Sequence, residues 1–377
     1  MRAEIAASIG DFDSRAWNSL AGTNYPFLTH EFLLAAEQSG SAAPESGWTP
    51  RHIGLYDSND SLLAAMPMYE KTHSWGEFVF DWSWAHAYEK AGLDYYPKLL
   101  SAVPFTPASS RRLLATSDDQ RARLLEVARS FMSDNDYSSL HVLFPEESEL
   151  AALASSGFKI RKDCQFHWHN QDYDDFDDFL ATFSSAKRKK VRRDRRHVRE
   201  QGIRFRRYSG SEADAAVWKD VYELISITFL RRGSLPYFSL DFFQEISRRL
   251  PENILLVVAE KNRMPIAAAV FYDTSNALYG RYWGADAHYN ALHFETCYYQ
   301  GIDYCIEKKR QRFEPGTQGE HKISRGFTPV NTWSAHWLER PEFFNAVGRF
   351  LQEETRHVDY YMDVVNAHSP YKNEQAP

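Results

Sequence analysis

The sequence predicts a mixed α+β protein with two similar domains, each a largely antiparallel central sheet flanked by helices. Three observations predict it: the length, an internal repeat, and three successive strand-like segments in each half. The chain has 377 residues, 43% hydrophobic and 25% charged. At roughly 150 residues per domain this length is enough for two globular cores. We therefore expect a first domain over residues 1–170 and a second over residues 171–377.

The repeat consists of two pairs of similar segments in the same order. Leu62–Tyr69 (LLAAMPMY) is similar to Pro265–Tyr272 (PIAAAVFY), and upstream of them Phe27–Phe32 is similar to Tyr237–Phe242. Each upstream segment has a Ser or Thr shortly before an acidic residue, the pattern of a capped amphipathic helix. Two matches in the same order and at a similar spacing favour a duplicated domain.

The second half shows the strand pattern most clearly. Apolar runs over Asn253–Glu260, Met264–Asp273 and Asn276–Ala285 are separated by short polar turns, which is typical of an antiparallel meander. A helix over Leu292–Lys309 and a short strand over Arg312–Glu314 are predicted to follow.

The first half repeats the meander over Pro50–Asp57, Ser61–Thr72 and Gly76–Ala85. In the last segment the aromatic residues alternate with other types, so a strand would place them on one face and Asp81 on the opposite face. We expect the two meanders to superimpose.

A strongly basic segment opens the second domain. Residues 187–207 contain 12 Lys or Arg and 2 Asp or Glu, although the whole chain has a net charge of −7. An acidic stretch, Asp174–Asp178, precedes it and Gly202 follows. One long helix, or one interrupted near Ser184, explains this order, because acids at a helix N-terminus and bases at its C-terminus both complement the helix dipole.

Two interpretations of this basic helix remain: a solvated helix matched to its dipole, or an anion-binding surface. We favour the second, because so many like charges repel one another unless phosphates or carboxylates neutralise them. Phosphate contacts do not identify a ligand, so RNA, a nucleotide diphosphate and an acidic protein stay open. The expected ligand contacts on the helix are Lys190, Arg192 and Arg193.

Meander, helix and strand follow one another in the core order of the GNAT acyltransferase fold, and the chain resembles the FemAB-like predicted bacterial N-acyltransferases, which duplicate that fold. The resemblance covers about residues 20–355 and is carried by Ala277–Asp286, Leu292–Val330, Ser184–Ile203, Phe78–Leu99 and Val103–Pro107. It implies an enzyme that transfers an activated acyl or aminoacyl group to an amine.

The donor expected from the resemblance is either aminoacyl-tRNA or an acyl-CoA, and no tightly bound cofactor is expected. GNAT enzymes that use acetyl-CoA hold its pyrophosphate in a glycine-rich turn after the fourth strand. The corresponding segment here, Ala285–Leu292, contains no glycine. Fem-type enzymes lack that turn too and use aminoacyl-tRNA, which shifts the expectation toward a charged tRNA.

The reactive side chains are densest at Gln318–Lys322 and Arg325, on a loop after the last short strand. Direct attack by an amine needs a general base and donors for the developing oxyanion. Gly316 and Gly319 would let the loop approach a ligand closely. We predict Glu320 or His321 as the base, and Gln318, Lys322 and Arg325 as ligand contacts; the alternative is a polar surface turn.

Two further groups of residues are predicted to contact substrates. Arg281 and Trp283 share a face of the predicted fourth strand, which is expected to splay from its neighbour, and would wall the acyl groove, unless they only pack across the sheet. In the first domain the candidates for contact with the acceptor amine are Asp81, His86, Tyr95 and Lys98.

Other classes of protein are less consistent with the sequence. His167 and His169 lie on one strand face without a third metal ligand, which disfavours a metal-dependent hydrolase. GxSxG and Walker A motifs are absent, and the three cysteines form no CxxC pair and are expected to be reduced thiols. The apolar runs are shorter than the ~20 residues of a membrane span, and no signal peptide is visible, so a cytoplasmic protein is expected. The runner-up function is a non-catalytic RNA-binding or scaffold protein on a GNAT fold.

Overall fold

The structure is a computed structural model that describes residues 1–22, 24–317 and 319–372. The chain divides into two compact units: unit 1 comprises Met1–Asp163 and Asn331–Tyr360, and unit 2 comprises Cys164–Val330 and the residues from Tyr361 onward. The predicted bounds, 1–170 and 171–377, differ from this division because the chain returns to unit 1 after residue 330. The predicted contact Gln318 lies outside the described residues.

The elements up to the first boundary are β1 (Arg2–Ala6), α1 (Ser14–Ala21), α2 (His30–Gln38), β2 (Trp48–Pro50), β3 (His52–Tyr56), β4 (Leu62–Met66), β5 (Tyr69–Lys71), α3 (Trp82–Lys90), β6 (Lys98–Ser101), α4 (Asp118–Asp134), β7 (Ser139–Leu143), α5 (Leu150–Ser155) and β8 (Lys159–His169). The later elements are α6 (Phe176–Ala181), α7 (Ser185–Glu200), β9 (Arg204–Ser209), α8 (Ala215–Leu230), α9 (Leu240–Arg249), β10 (Ile254–Lys261), β11 (Met264–Asp273), β12 (Ala277–Ala285), α10 (Leu292–Phe294), α11 (Gln300–Glu307), β13 (Arg312–Glu314), β14 (Thr328–Leu338) and α12 (Pro341–Asn366). The boundaries between the units fall within β8, β14 and α12.

Unit 1 contains two groups of strands. Strands β1, β3 and β4 form an antiparallel sheet in the order β1-β3-β4. Strands β2, β5, β6 and β7 are neighbours in that order, and only β6 and β7 are parallel. The end of β14, Ser334–Leu338, pairs antiparallel with β7. This pairing is the physical reason that the chain after residue 330 belongs to unit 1.

Unit 2 is built on six strands, β9-β10-β11-β12-β13 and the end of β8. Strands β10, β11 and β12 are the predicted antiparallel meander, and β13 pairs in parallel with β12. Helices α10 and α11 are continuous with a π-helical segment, Glu295–Tyr299, between them, so the predicted helix over Leu292–Lys309 is confirmed with one irregular turn. The core of the unit centres on Trp168, Phe271 and Phe313.

The first part of the basic segment forms α7, but the predicted helix over 187–207 ends at Glu200, and Arg204, Arg206 and Arg207 lie in strand β9. The break near Ser184 is present because α6 ends at Ala181 and α7 begins at Ser185. The Asp175 side chain caps α6 by accepting a hydrogen bond from the Asp178 amide, as an N-cap carboxylate should. Gly202 follows α7 with a φ of 75°, which glycine adopts without strain.

The predicted strand over Gly76–Ala85 is wrong, because the chain forms helix α3 from Trp82. Phe78 has a φ of 61°, which interrupts extended backbone. Trp84 and Tyr88 are both buried, and their spacing of four residues places them on one helix face. The predicted strand ended at Ala85, so the alternation of its aromatic residues was considered without Tyr88, which reveals the helical spacing.

The predicted strand over Ser61–Thr72 is also divided. It forms β4 and β5, which pair with different neighbours, and Pro67 lies between them. Proline has no N–H to donate to a strand ladder. The first meander therefore differs from the second, although Thr29 and Ser239 cap the paired helices α2 and α9 as the repeat predicts.

Strand β12 and helix α8 are in close backbone contact at Gly284, where an added Cβ would lie 2.0 Å from the Leu224 carbonyl oxygen. We expect Gly284→Ala to destabilise unit 2 by at least the upper end of the about 1–3 kcal/mol that overpacking costs. The midpoint of thermal unfolding checks this. Gly280→Ala is the matched control on the same strand, since its Cβ would meet its nearest atoms at 3.4 Å; equal losses in the two variants would contradict the close contact.

No helix within the described residues has the length and apolar character needed to cross a bilayer.

Candidate functional site

Strands β12 and β13 part within unit 2. They pair only over Ala277–Tyr279 opposite Arg312–Glu314, whereas β12 continues to Ala285. Across from β11, Val270 faces Tyr282 and Phe271 faces Gly280, so Arg281 is the extra residue of a β-bulge. Bulges bend a strand and re-aim side chains. The second half of β12, which carries Arg281 and Trp283, therefore extends beyond its parallel partner, as the sequence predicts for a splayed strand.

A cavity of about 370 Å³ lies at the end of β12. Its walls include Trp283, His293 and Phe294, together with the link from β12 to α10. The Arg231 guanidinium fixes that link by donating hydrogen bonds to the carbonyl oxygens of Ala285 and Asp286, at 3.2 and 2.6 Å. The cavity thus occupies the place where the glycine-rich turn is missing from the sequence.

Two imidazoles lie beside this cavity. The His293 ring packs 5.2 Å from the Trp283 ring and 6.0 Å from the His321 ring, measured between centroids. Burial, helped by the nearby His321 and Arg325, lowers the pKa of His293 to about 4. Burial also lowers the pKa of His321, with Arg325 and Lys322 contributing. Both rings are therefore neutral at pH 7, the form that accepts a proton.

His321 is held in place by the helix and by a glycine. The Tyr298 hydroxyl lies 2.8 Å from His321 Nε2. Gly319 has a φ of 114°, and a Cβ there would lie 2.2 Å from His321 Cε1. The sequence analysis expected Gly319 to let the loop approach a ligand closely. In the structure the space left by its missing side chain is occupied by the imidazole ring of His321.

The structure separates the two predicted bases. His321 packs on Phe294 and His293, which line the cavity. The exposed Glu320 instead accepts a hydrogen bond of 3.0 Å from Tyr361 in α12. Of the two side chains, only that of His321 contacts the walls of the cavity.

The predicted cations Lys322 and Arg325 are both buried. Lys322 Nζ donates to the Gly316 carbonyl oxygen at 2.6 Å. Burial, with Arg281 nearby, lowers the pKa of Lys322 to about 7. The Arg325 guanidinium lies 3.3 Å from the Phe294 ring centroid and donates to the His321 carbonyl oxygen at 2.6 Å. An anion close to these groups would offset the cost of burying positive charge.

The π-helical segment between α10 and α11 supplies two residues that the sequence analysis did not single out as functional. It holds Tyr298 against His321, and its buried Glu295 forms an ion pair of 3.2 Å with Arg195 of α7. His293, one turn earlier, was also missed. The sequence feature that could have indicated these residues is the spacing of five between His293 and Tyr298, because a π-helical turn brings residues at that spacing onto one face.

Helix α7 buries one side and exposes a basic one. Val191 and Val198 are buried, while Lys190, Arg192 and Arg193 are exposed. Arg192 pairs with Asp177 at 2.9 Å. Among the described residues, six basic side chains of α7 have no salt bridge: Lys187, Arg188, Lys189, Lys190, Arg193 and Arg199.

In unit 1 the structure brings together three of the four predicted residues. Lys98 forms ion pairs with Asp81 and with Glu77, the latter at 2.8 Å, and the Tyr95 hydroxyl donates to Asp81 at 2.7 Å. The side chains of this cluster are all buried: Lys98, Asp81, Glu77 and Tyr95. His86 is separate from them: it is exposed and lies 3.2 Å from Glu89.

Burial and charge act in opposite directions on the two carboxylates around Lys98. Burial raises the pKa of Glu77 to about 7 in spite of Lys98. Burial alone would also raise the pKa of Asp81, but Lys98 and His141 hold it at about 2. The sequence analysis did not single out Glu77, although the predicted strand placed it on the same face as Asp81.

Metal-ligating groups are not assembled in the described ranges, which contain no group of three or more His, Cys, Asp or Glu able to hold an ion. His167 and His169 have ring centroids 6.5 Å apart on β8, and the nearest carboxylate oxygen to His167 Nε2, from Glu314, lies at 3.8 Å. The three cysteines are free thiols.

Comparison with protein families gives one match over nearly the whole length: the FemAB-like family, described as peptidoglycan biosynthesis/recognition, matches residues 8–373. The chain belongs to the FemAB-like family. No curated protein sequence matches this FemAB-like chain.

Solved structures share the fold at low sequence identity. FemX has a TM-score of 0.56 and 12% identity, covering 92% of this chain and 100% of its own. The C-terminal domain of a putative lysylphosphatidylglycerol synthetase from Agrobacterium fabrum has a TM-score of 0.56 and 10% identity, covering 92% and 96%. L-PGS from Bacillus licheniformis has a TM-score of 0.50 and 11% identity, covering 85% and 96%.

The FemAB-like chain is thus a mixed α+β protein with two tandem GNAT-like domains, as the sequence predicts. Family and fold together support acyl or aminoacyl transfer to an amine as its class of activity.

Proposed function

We propose that this FemAB-like protein transfers an aminoacyl group from aminoacyl-tRNA to the amine of a peptidoglycan precursor. The observation that carries the proposal is the cavity at the end of β12, where β12 has parted from β13, with His293 in its wall and the neutral His321 packed against that wall. The family description names peptidoglycan biosynthesis, and that description supports the acceptor class.

In the proposed reaction the acceptor nitrogen attacks the ester carbonyl carbon of the donor. An N–C bond forms and the bond from that carbon to the ribose oxygen breaks, so no covalent intermediate with the enzyme is needed. His321 takes the proton of the attacking amine at Nδ1, because the Tyr298 hydroxyl occupies Nε2 and orients the ring. The ring then returns the proton to the departing ribose oxygen, which leaves as a hydroxyl. Lys322 and Arg281 supply positive charge for the developing oxyanion, which such groups stabilise strongly when water is excluded.

The choice of tRNA over CoA rests on two features. The link between β12 and α10 lacks the glycines that hold a pyrophosphate, and α7 presents six basic side chains without salt bridges in the described structure. A polyanion longer than CoA would neutralise more of these charges. Transfer of a labelled amino acid from charged tRNA to a precursor that ends in a free amine, compared with transfer from acetyl-CoA, tests the proposal directly.

Helix α7 gives a prediction for donor binding. Reversing Lys190, Arg192 and Arg193 to Glu should weaken tRNA binding and make the slope of log K against log salt shallower by about 2 to 3, since each phosphate contact contributes roughly 0.7 to 0.9. Filter binding over a salt series measures both quantities. The control reverses three exposed cations on other elements of unit 2, Lys219, Arg248 and Lys308. Equal losses of tRNA affinity in both triple variants would show that α7 is a solvated helix and not the tRNA-binding surface.

The second candidate, a non-catalytic RNA-binding protein, is favoured by the same basic surface and needs nothing from the cavity. Binding of tRNA that is sensitive to α7, with no transfer to any amine, would support it. Turnover that depends on His321 would exclude it.

A further inference from the structure

Helix α7 contains two acidic residues among its basic ones, and the two lie in different surroundings. Glu200 is exposed and lies 3.6 Å from Arg196 on the surface of the helix. Asp194 faces inward, with 14% of its side chain exposed. Its carboxylate contacts side chains of other elements of unit 2, and the transfer chemistry proposed above gives it no role.

One carboxylate oxygen of Asp194 has two partners. Oδ2 accepts a hydrogen bond of 3.1 Å from the Tyr299 hydroxyl and lies 3.5 Å from a guanidinium nitrogen of Arg325. Tyr299 belongs to the π-helical segment, and Arg325 ends the short helical turn Glu320–Arg325, which we call the His321 turn. Asp194 thus joins α7 to the turn that carries the proposed base, while Tyr299 orients the carboxylate.

Arg325 in turn contacts the proposed base and the wall of the cavity. It donates a hydrogen bond of 2.6 Å to the His321 carbonyl oxygen, and its guanidinium covers the Phe294 ring at 3.3 Å from the centroid. A displacement of Arg325 would therefore move the backbone of His321, and with it the imidazole.

Burial makes the contact between Asp194 and Arg325 important for this geometry. Arg325 is 3% exposed and Tyr299 is 1% exposed, so bulk water cannot replace a lost partner. Within the described part of the chain, the salt bridge with Asp194 is the only one that Arg325 forms. A buried cation without a counter-charge is costly, so the carboxylate keeps the guanidinium in the place from which it holds His321.

We propose that Asp194 is a positioning residue, which acts through Arg325 to fix the His321 turn against α7. The inference rests on the proposed function in one respect only, namely that His321 is the base. In this role Asp194 touches neither a substrate nor the reacting atoms. Its effect therefore falls on kcat and not on the affinity for tRNA.

The first test compares Asp194→Asn with Glu200→Gln in steady-state transfer from aminoacyl-tRNA. Each variant removes one negative charge from α7, so both should change the KM for tRNA by the same small factor. Only Asp194→Asn should lower kcat, by about tenfold, which is less than the about 10²-fold that a displacement of 1 Å can cost. Equal values of kcat in the two variants would overturn the inference.

A double variant tests the path through Arg325. Arg325→Gln removes the group that Asp194 holds, and should lower kcat by itself. Adding Asp194→Asn to Arg325→Gln should then change kcat by less than about twofold, because residues in one network are not additive. Losses that multiply in the double variant would mean that Asp194 acts independently of Arg325, contrary to the proposal.

Hydrogen exchange gives a readout that needs no substrate. Backbone hydrogen bonds from the amides of Gly326 and Phe327 close the His321 turn, and amide exchange reports how firmly such a segment is held. In the Asp194→Asn chain we expect the amides of this turn to exchange at least about threefold faster than in the parent chain. Glu200→Gln should leave their exchange unchanged.

Two further measurements separate positioning from a general loss of stability. Strand β10 lies in the same unit, and its amides should exchange at the parent rate in Asp194→Asn. Tyr299→Phe leaves every charge in place and should speed exchange of the His321 turn to a smaller extent, so it tests positioning even if Asp194→Asn does not fold. Equal acceleration in β10 and in the turn, or no change of the turn in either variant, would contradict positioning.

Exchange and transfer together distinguish a failure of this inference from a failure of the proposed function. If exchange of the His321 turn responds as expected while aminoacyl-tRNA gives no product, the positioning by Asp194 stands and the proposed function fails. If the parent chain transfers the aminoacyl group and Asp194→Asn has the same kcat, the inference fails and the proposed function stands.

Discussion

Replacing His321 with Asn is expected to lower kcat for aminoacyl transfer by about 10²- to 10⁴-fold, the usual contribution of a general base. The imidazole is the neutral side chain that contacts the cavity walls, and Asn cannot take up a proton. Rates under saturating donor and acceptor measure the effect. His368→Asn is the control, since His368 is an exposed histidine of unit 2 and should leave the rate unchanged.

Two further variants test the role given to His321. Glu320→Gln should change the rate less than about threefold, because Glu320 bonds to Tyr361 and not to the cavity walls. Tyr298→Phe removes the hydrogen bond that orients the ring and should lower kcat by a smaller factor, about tenfold for a bond of roughly 1.4 kcal/mol. A large loss in Glu320→Gln with a normal rate in His321→Asn would reverse the assignment of the base.

The pH dependence follows from the lowered pKa of His321. The neutral ring is the active form, so activity should fall as the pH drops below the ordinary histidine value of 6.5. Activity should also fall as the pH rises above about 7, because Lys322 then loses the positive charge that stabilises the oxyanion. His321→Asn should abolish this acid limb. If the rate of that variant still fell at low pH, the fall would belong to the titration of another group.

Replacing Lys98 with Met is expected to destabilise unit 1 by about 3–5 kcal/mol, the cost of removing one partner from a buried ion pair. Asp81 and Glu77 would remain buried without their shared cation, and burial already raises the pKa of Glu77 to about 7. Thermal and urea unfolding followed by circular dichroism, each against the parent chain, measure the loss.

Two comparisons make the Lys98 prediction specific. A Lys98→Met, Asp81→Asn, Glu77→Gln triple variant should recover part of the lost stability, because it removes the two uncompensated charges. Arg123→Met breaks an exposed ion pair with Glu126 in the same unit and should cost between 0 and about 1 kcal/mol. A Lys98→Met chain as stable as the Arg123→Met chain would show that Glu77 and Asp81 carry no uncompensated charge after Lys98 is removed.

The parts of the fold that the sequence predicted correctly are those with local causes. The meander β10-β11-β12 follows from long apolar runs separated by polar turns, and α7 follows from its charge order with a break near Ser184. Thr29 and Ser239 cap their helices because a hydroxyl at that position satisfies a free backbone N–H nearby. Each of these features depends on neighbours within a few residues.

Helix α3 shows where local reasoning failed. The alternating aromatics of Gly76–Ala85 match a strand within their own window, yet the buried positions Trp84 and Tyr88 follow the helical period. The core of unit 1 into which they pack includes Leu338 and Leu351, more than 240 residues further along the chain. Tertiary packing outweighed the local pattern, as it regularly does for strand propensity.

The candidate site divides in the same way. The sequence by itself determined the fold class, the basic helix and the concentration of reactive residues from Glu320 to Arg325, because residue type and short-range spacing are sufficient for these. Only the tertiary structure decided that His321 contacts the cavity walls while Glu320 turns to Tyr361, that a π-helical turn brings Tyr298 to the imidazole, and that the chain after residue 330 pairs with β7. These outcomes depend on hydrogen bonds and packing between segments that are far apart in the chain. A pattern of neighbouring residues does not reveal the free energy of such contacts.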